Sequence, residues 1–213
     1  MTESASKPKD RPEGRKLERV DYVRMNLPQE FWEASSKLIP SGVYPSVKHF
    51  GLNTHEFIRD GLGFVLCGPP GVGKSGAAAV LSKIVKCYGF TVLFVSISDL
   101  REMVRSRLDF DAQTPMLERA RDVDFLVLDN LREEDAKEAI VNASSLDGLI
   151  AHRVSWKRST VITTRMTQDG LRACFPDVWE RVRGACAFLV VEGPDLREQL
   201  GAKVESRLTP KKA

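Results

Sequence analysis

Five short runs of apolar residues alternate with helix-like segments along the middle of the chain. The runs are rich in Val, Leu, Ile and Phe, and they predict strands at Phe64–Cys67, Val92–Ser96, Phe125–Leu128, Val161–Thr164 and Phe188–Val191. Unbroken apolar runs are typical of strands covered on both faces, and strands that alternate with helices form mainly parallel sheets. The pattern therefore predicts an α/β fold in which helices sandwich a five-stranded, mainly parallel sheet.

Apolar residues at three- and four-residue spacing predict the helices between these strands. The clearest helix has one apolar face made of Ala77, Val80, Leu81, Ile84, Val85 and Tyr88, and Gly89 can end it. A second helix is predicted to begin near Asp99, with Glu102 as its capping partner and Leu100, Met103, Val104 and Leu108 on one face. A third is predicted over much of residues 133–152.

The flanks of the chain differ from its middle. Residues 1–20 are charged and nearly free of large apolar side chains, so we expect a disordered basic tail. Residues 21–60 predict a short helical leader, in which Pro28 favours a helix start before Phe31 and Trp32. We therefore divide the chain into a tail (1–20), a leader that can bind a partner (21–60), one globular core (61–200) and a basic C-terminal tail (201–213).

Net charge and cysteine content limit the partners, metals and cellular compartment that the sequence favours. A net charge of +3 and a pI near 8.7 permit an acidic partner such as DNA without requiring one. The four cysteines form no Cys-x-x-Cys pair and lie away from the histidines, which disfavours a zinc site and favours a reducing compartment. No apolar stretch approaches the ~20 residues that span a bilayer, so we expect a cytoplasmic protein without a membrane partner.

The sequence Gly-Pro-Pro-Gly-Val-Gly-Lys-Ser at residues 68–75 stands between a predicted strand and a predicted helix. A bound triphosphate needs backbone N–H groups in a concave loop, a cation, and a hydroxyl for magnesium, and this segment offers all three. It predicts binding of ATP and Mg²⁺, with Lys74 on the phosphates. The predicted nucleotide-binding residues are Gly68, Pro69, Pro70, Gly71, Val72, Gly73, Lys74, Ser75 and Gly76.

Asp129 directly follows the apolar run at residues 125–128. Nucleotide-hydrolysing proteins with this loop hold magnesium through an acid at the end of a neighbouring strand. We therefore predict that Ser75 and Asp129 bind the metal, while an ordinary turn aspartate remains the alternative.

From Gly61 to Arg197 the chain resembles the AAA+ ATPases of the DnaC-type helicase loaders and the related IstB-type transposition helpers. The resemblance is carried by the loop at 68–75, Gly89 with Val92–Ser96 and Asp99-Leu100, Leu128-Asp129, Leu149–Arg153, Val161–Thr164, Glu180-Arg181-Val182 and Val191–Arg197. It implies a P-loop AAA+ core, here without a large C-terminal lid domain.

The resemblance also implies roles for single residues. Asp129 would organise magnesium, and Thr164 and Arg165 would lie where the family senses the γ-phosphate. Arg181, with Arg183 as second candidate, would be an arginine finger acting on ATP in a neighbouring subunit, which implies a homo-oligomer. Arg197 matches a C-terminal arginine whose role stays open. For each of these arginines, a surface salt bridge or a solvated charge is the alternative.

Two positions depart from the family pattern. Asn130 stands where the family carries a second acid, and asparagine can orient a water but cannot take its proton. Arg165 replaces the usual sensor Asn. Glu133 or Glu134 could replace the missing acid, although their spacing does not favour it. We therefore expect an ATPase with Lys74, Asp129, Asn130, Arg165 and Arg181 at its catalytic site, weakened by Asn130, so that hydrolysis is slow and ATP acts as an assembly switch.

The resemblance favours a loader that delivers a ring-shaped replicative helicase to single-stranded DNA. The predicted helicase contacts are Phe31, Trp32, Leu38 and Tyr44, each of which could instead pack on the chain's own core. A basic stretch could contact DNA through Arg153, Lys157, Arg158, Arg165 and Arg172, with Trp156 for base stacking. A transposition helper that binds target DNA and a hydrolysis-deficient regulator remain alternatives.

Overall fold

The five apolar runs form a single sheet of parallel strands in the order β2-β3-β4-β1-β5. The computed structural model describes residues 15–105, 115–136 and 143–197. The strands are β1 Gly63–Cys67, β2 Val92–Ser96, β3 Phe125–Leu131, β4 Ser159–Thr164 and β5 Cys186–Val190. The predicted parallel α/β sheet is therefore confirmed, and the strand positions agree within a few residues.

Helices cover both faces of the sheet. The described helices are α1 Arg19–Arg24, α2 Tyr44–Leu52, α3 Thr54–Asp60, α4 Lys74–Cys87, α5 Ile97–Arg105, α6 Pro115–Asp122, α7 Ala143–Ser155, α8 Gln168–Cys174 and α9 Pro176–Val182. Helices α2, α3 and α4 pack with residues such as Leu66 and Phe94, whereas α5 to α9 pack with Val65 and Leu93. Adjacent strand residues point to opposite faces, so two buried faces explain the apolar runs of β1, β2 and β3. Strand β5 lies at the edge of the sheet and is only partly covered, since Val190 is 67% exposed, so the expected burial on both faces is wrong for this strand.

Several helices begin or end elsewhere than the sequence predicts. Helix α1 begins at Arg19, inside the predicted tail, and Pro28 precedes only a single 3-10 turn, Gln29–Phe31. Helix α5 begins at Ile97, two residues before the predicted start. The region of the predicted third helix contains two separate elements, the 3-10 turn Glu133–Ala136 and helix α7. Residues 137–142 between them lie outside the described part.

Some predictions concern parts of the chain that the structure does not describe. These are residues 1–14, the predicted tail at 201–213, Leu108, and the side chains of Met103 and Val104. Within the described residues, no helix combines the length and apolar character needed to cross a bilayer.

Candidate nucleotide-binding site

The loop between β1 and α4 has a backbone that requires glycine. Gly68, Gly71 and Gly73 have φ values of 150°, 80° and 97°, which L-residues with side chains rarely adopt. A Cβ on Gly68 would overlap the carbonyl oxygen of Val191. The loop therefore keeps its backbone bare at the beginning of α4, where N–H groups can surround a phosphate.

Lys74 opens α4 and folds back over this loop. Its Nζ donates to the carbonyl oxygens of Gly68 at 2.7 Å and Pro69 at 2.6 Å. Burial lowers the pKa of Lys74, and the charge of Asp129 opposes this shift. The ammonium is thus held at the loop by neutral carbonyls, which a bound phosphate can replace with a stronger, charged partner.

Asp129 on β3 lies beside Ser75 on α4. The Oγ1 of Thr163 donates to Oδ1 of the carboxylate at 2.7 Å, and the Ser75 hydroxyl lies close enough to lower the pKa of Asp129. Burial raises the pKa of Asp129, while these hydrogen bonds and the charge of Lys74 oppose the rise. The structure thus brings Lys74, Ser75 and Asp129 together at the carboxyl ends of the strands, where open α/β sheets bind ligands.

Thr163 is a site residue that sequence reasoning missed. It holds Asp129, and its hydroxyl also accepts the backbone N–H of Asn130 at 2.9 Å. The available signal was the pair of threonines, Thr163 and Thr164, at the end of the predicted strand.

Asn130 occupies a left-handed backbone position, with φ 63°, where the β3–β4 register shifts between Leu128 and Leu131. Asparagine is among the few residues other than glycine that adopt this conformation readily. The residue therefore fits the irregularity in β3 as well as the position after Asp129.

Thr164 and Arg165, at the end of β4, differ in what they can reach. The Thr164 hydroxyl is buried, donates to the carbonyl oxygen of Leu131 at 2.8 Å and accepts from the backbone of Met166. Thr164 therefore supports the strand end and does not face a ligand. Arg165 is half-exposed, and its Nη2 contacts both carboxylate oxygens of Glu134 at 2.7 and 3.0 Å.

The two finger candidates have different anchors. Arg181 on α9 grips Asp147 on α7 through Nε at 2.5 Å and Nη2 at 3.1 Å. Arg183 instead pairs with Glu180 one turn earlier at 2.7 Å, and both side chains are more than half exposed. Since Arg181 is fixed between two helices, it is the better-oriented guanidinium, although its hydrogen bonds go to Asp147 and not to the phosphate loop.

The basic stretch predicted to contact DNA does not form one surface. Arg153 is fully buried and donates to the carbonyl oxygens of Ala120, Val123 and Ser159, so it cannot reach DNA. Arg158 pairs with Asp124 at 2.5 Å. The prediction that Arg153 contacts DNA is therefore wrong, because its side chain lies in the protein interior and its hydrogen bonds are made there.

Trp156 remains a candidate for base stacking. Its side chain is 69% exposed, and its ring lies 6.1 Å from that of His152. Lys157 follows it on the surface.

The leader contributes both buried and exposed aromatic residues. Phe31 and Trp32 pack against the core; the rings of Phe31 and Phe94 lie 6.0 Å apart, and Trp32 Nε1 donates to Leu27 at 2.9 Å. Leu38 and Tyr44 keep exposed fractions of 42% and 39%. Of the predicted helicase contacts, Phe31 and Trp32 are therefore largely committed to the chain's own core.

Solved structures with the same arrangement share the P-loop AAA+ fold. The DnaC helicase loader crystal structure aligns with TM-score 0.66 and 22% identity over 78% of this chain and 100% of that chain. The replication initiator DnaA bound to AMPPCP and single-stranded DNA aligns with TM-score 0.64 and 14% identity over 85% of this chain and 57% of that chain. The fold and the loop thus define a P-loop NTPase with an AAA+ core.

The family follows from the sequence comparison. The family model of the IstB-like ATP binding proteins matches residues 45–185, and the chain belongs to that family. The replicative helicase loader DnaC of Buchnera aphidicola subsp. Baizongia pistaciae is 26% identical over 124 residues, which cover 55% of this chain and 48% of the relative. The corresponding loader of the subspecies Acyrthosiphon pisum is 23% identical over 67% of this chain and 59% of its own length. The chain thus spans about half of the curated relatives it matches.

Proposed function

We propose that the protein is an ATP-dependent helicase loader, which assembles on binding ATP and delivers a ring-shaped replicative helicase to single-stranded DNA in the cytoplasm. The observation that carries the nucleotide-binding step is the meeting of Lys74, Ser75 and Asp129 at a loop whose glycines tolerate no side chain. The helicase and DNA steps are supported by the relatives, which are named replicative helicase loaders.

The residues present fit a magnesium–nucleotide complex. The Ser75 hydroxyl and the Asp129 carboxylate are already neighbours, and hard oxygen donors of this kind suit Mg²⁺. When bound, the metal neutralises charge on the phosphates. Lys74 would exchange the Gly68 and Pro69 carbonyls for phosphate oxygens, and Thr163 would keep Asp129 oriented.

Hydrolysis is slow in this proposal. The Asn130 amide cannot accept a proton from water, and Glu134, one of the two acids that could replace the missing one, is engaged by Arg165. Bound ATP therefore persists long enough to act as a switch between free and assembled protein.

Assembly tests the proposed role of Arg181. The mass of the protein, measured by light scattering, is expected to rise when Mg-ATP is added. The reason is that contact between Arg181 and the phosphates of ATP in the neighbouring subunit would stabilise the oligomer. Arg181→Ala should remove this rise, whereas Arg183→Ala, whose side chain pairs within its own helix turn, should keep it. Phosphate release in the same samples should stay below about one per second, well under the rate of a typical intact enzyme site.

Two results would contradict this. A monomer that binds ATP without assembling rules out the finger in trans, and turnover at about one per second or faster rules out slow hydrolysis.

Helicase binding tests the leader. Leu38→Ser and Tyr44→Ser are expected to weaken co-migration of the protein with the replicative helicase of its own cell by roughly tenfold, since each removes one exposed apolar anchor. Val154→Ser is the matched control, because Val154 is 38% exposed but lies on α7, on the other face of the sheet. Equal losses in all three variants, or none, would contradict binding through the leader.

A transposition helper is the second candidate, and the match to the IstB-like family model favours it. A helper would bind double-stranded target DNA, whereas a loader would prefer single strands, on which Trp156 can stack. Fluorescence anisotropy with matched single- and double-stranded oligonucleotides, with and without ATP, separates the two.

A further inference from the structure

After β5 the chain turns back and crosses the phosphate loop. This segment, Gly193–Arg197, is called the strap below. The N–H of Leu196 donates to the carbonyl oxygen of Gly71 at 2.9 Å. The Cδ1 of Leu196 also lies 3.3 Å from where a Cβ on Gly73 would stand. The strap is therefore in contact with the loop at two of its glycines.

Asp195 fills the space that Gly71 leaves by having no side chain. Gly71 has φ 80°, and a Cβ built on it would overlap both oxygens of the Asp195 carboxylate. Close approach of one chain segment to another is a recurrent use of glycine. The carboxylate thus rests directly on the loop.

The same carboxylate grips Arg197 along one edge. Oδ1 accepts from the backbone N–H at 2.9 Å and from Nε at 3.1 Å, and Oδ2 accepts from Nη2 at 2.9 Å. These bonds hold the pKa of Asp195 below its usual range, the side-chain bond from Arg197 contributing most. Planar guanidinium groups have donors along more than one edge, and within the described part of the chain Nη1 has no hydrogen-bond partner, so it can meet a further anion.

Arg197 lies close enough to the phosphate loop to affect Lys74. Burial is the main cause of the lowered pKa of Lys74, and the charge of Arg197 lowers it further. Because the strap is bonded to Gly71 and Asp195 rests on it, Arg197 is a second cation close to the loop that Lys74 covers.

We propose that Asp195 is a positioning residue for the nucleotide phosphates: seated on Gly71, it holds Arg197 beside Lys74 so that both cations meet the bound phosphate chain. This inference rests on nucleotide binding as proposed above and goes beyond the resemblance, which concerns Arg197 alone. Asp195 acts through Arg197, because a carboxylate cannot itself attract phosphate.

A double-mutant cycle tests the coupling. Calorimetric titration of the full chain with Mg-ATP, and separately with inorganic tripolyphosphate, would compare wild type, Asp195→Asn, Arg197→Ala and the double variant. Loss of a charge-assisted contact predicts roughly tenfold weaker binding for Asp195→Asn. The double variant should bind no more weakly than Arg197→Ala, because Asp195 has nothing left to position. Glu192→Gln, an equal change of charge just before the strap, should leave affinity unchanged.

Three results would overturn the inference while leaving the proposed function intact. Tighter binding by Asp195→Asn would make the carboxylate a repulsive neighbour of phosphate. Unchanged binding would give it no role, and equal losses with and without Arg197 would make its effect a structural one. A wild-type chain that binds neither ATP nor tripolyphosphate would instead overturn the proposed function.

Discussion

Replacing Lys74 with alanine is expected to weaken ATP binding by about 100-fold or more, because hydrogen bonds from a cation to phosphate are among the strongest in proteins. The unliganded fold should lose little, since the hydrogen bonds of Lys74 within the described residues go to the carbonyls of its own loop, Gly68 and Pro69. Isothermal titration with Mg-ATP measures the first effect, and thermal unfolding without nucleotide measures the second.

Lys86→Ala is the matched control, because Lys86 lies on the same helix at its far end. It should bind ATP as the wild type does. Near-wild-type affinity in Lys74→Ala would place the nucleotide elsewhere and remove the basis of the proposed function.

Replacing Arg153 with methionine is expected to lower the free energy of unfolding by about 3 kcal/mol or more, because each buried acceptor left without its donor costs about 1–3 kcal/mol. The side chain donates to the carbonyl oxygens at the end of α6 and to Ser159 and Thr160 at the start of β4. Methionine fills similar space and leaves these acceptors without donors. Burial lowers the pKa of Arg153 to about 9, so the guanidinium is still charged at neutral pH.

Urea unfolding of the two proteins measures this difference. Arg172→Met should change stability by less than about 0.5 kcal/mol, because Arg172 is exposed. If Arg153→Met lowered the free energy of unfolding by less than about 1 kcal/mol and also weakened DNA binding, Arg153 would contact DNA despite its burial.

The sheet was predictable because each strand contains a short run of Val, Leu, Ile or Phe that stands apart from the helical spacing on either side. Residues 92–96 form β2 as predicted, and β3 is predicted from its first residue, Phe125. The phosphate loop was predictable for a related reason, since its glycines and Lys74 have fixed spacing along the chain.

The contacts between distant residues were not predictable in this way. Nothing in the local sequence distinguishes the buried Arg153 from the partly exposed Arg158 five residues later. Thr163 acquires its role only because β4 lies beside β3, and Asp195 acquires its position only because Gly71 is bare. Both contacts join residues that are far apart in the sequence, so they depend on how the strands are ordered in the sheet and not on residue spacing along the chain.

Helix α4 joins the phosphate loop to the leader through two lysines. Lys74 stands at its first residue, and Lys83, nine residues later, donates to the carbonyl oxygens of Trp32 at 2.6 Å and Ala34 at 2.7 Å. Lys74 and Lys83 are separated by about 13 Å of continuous hydrogen-bonded helix, so a movement of one end of the helix moves the other end as well. We therefore expect helix α4 to couple the two regions. A shift of its first turn on nucleotide binding would displace the leader, so that a partner bound at Leu38 or Tyr44 would respond to nucleotide in the loop.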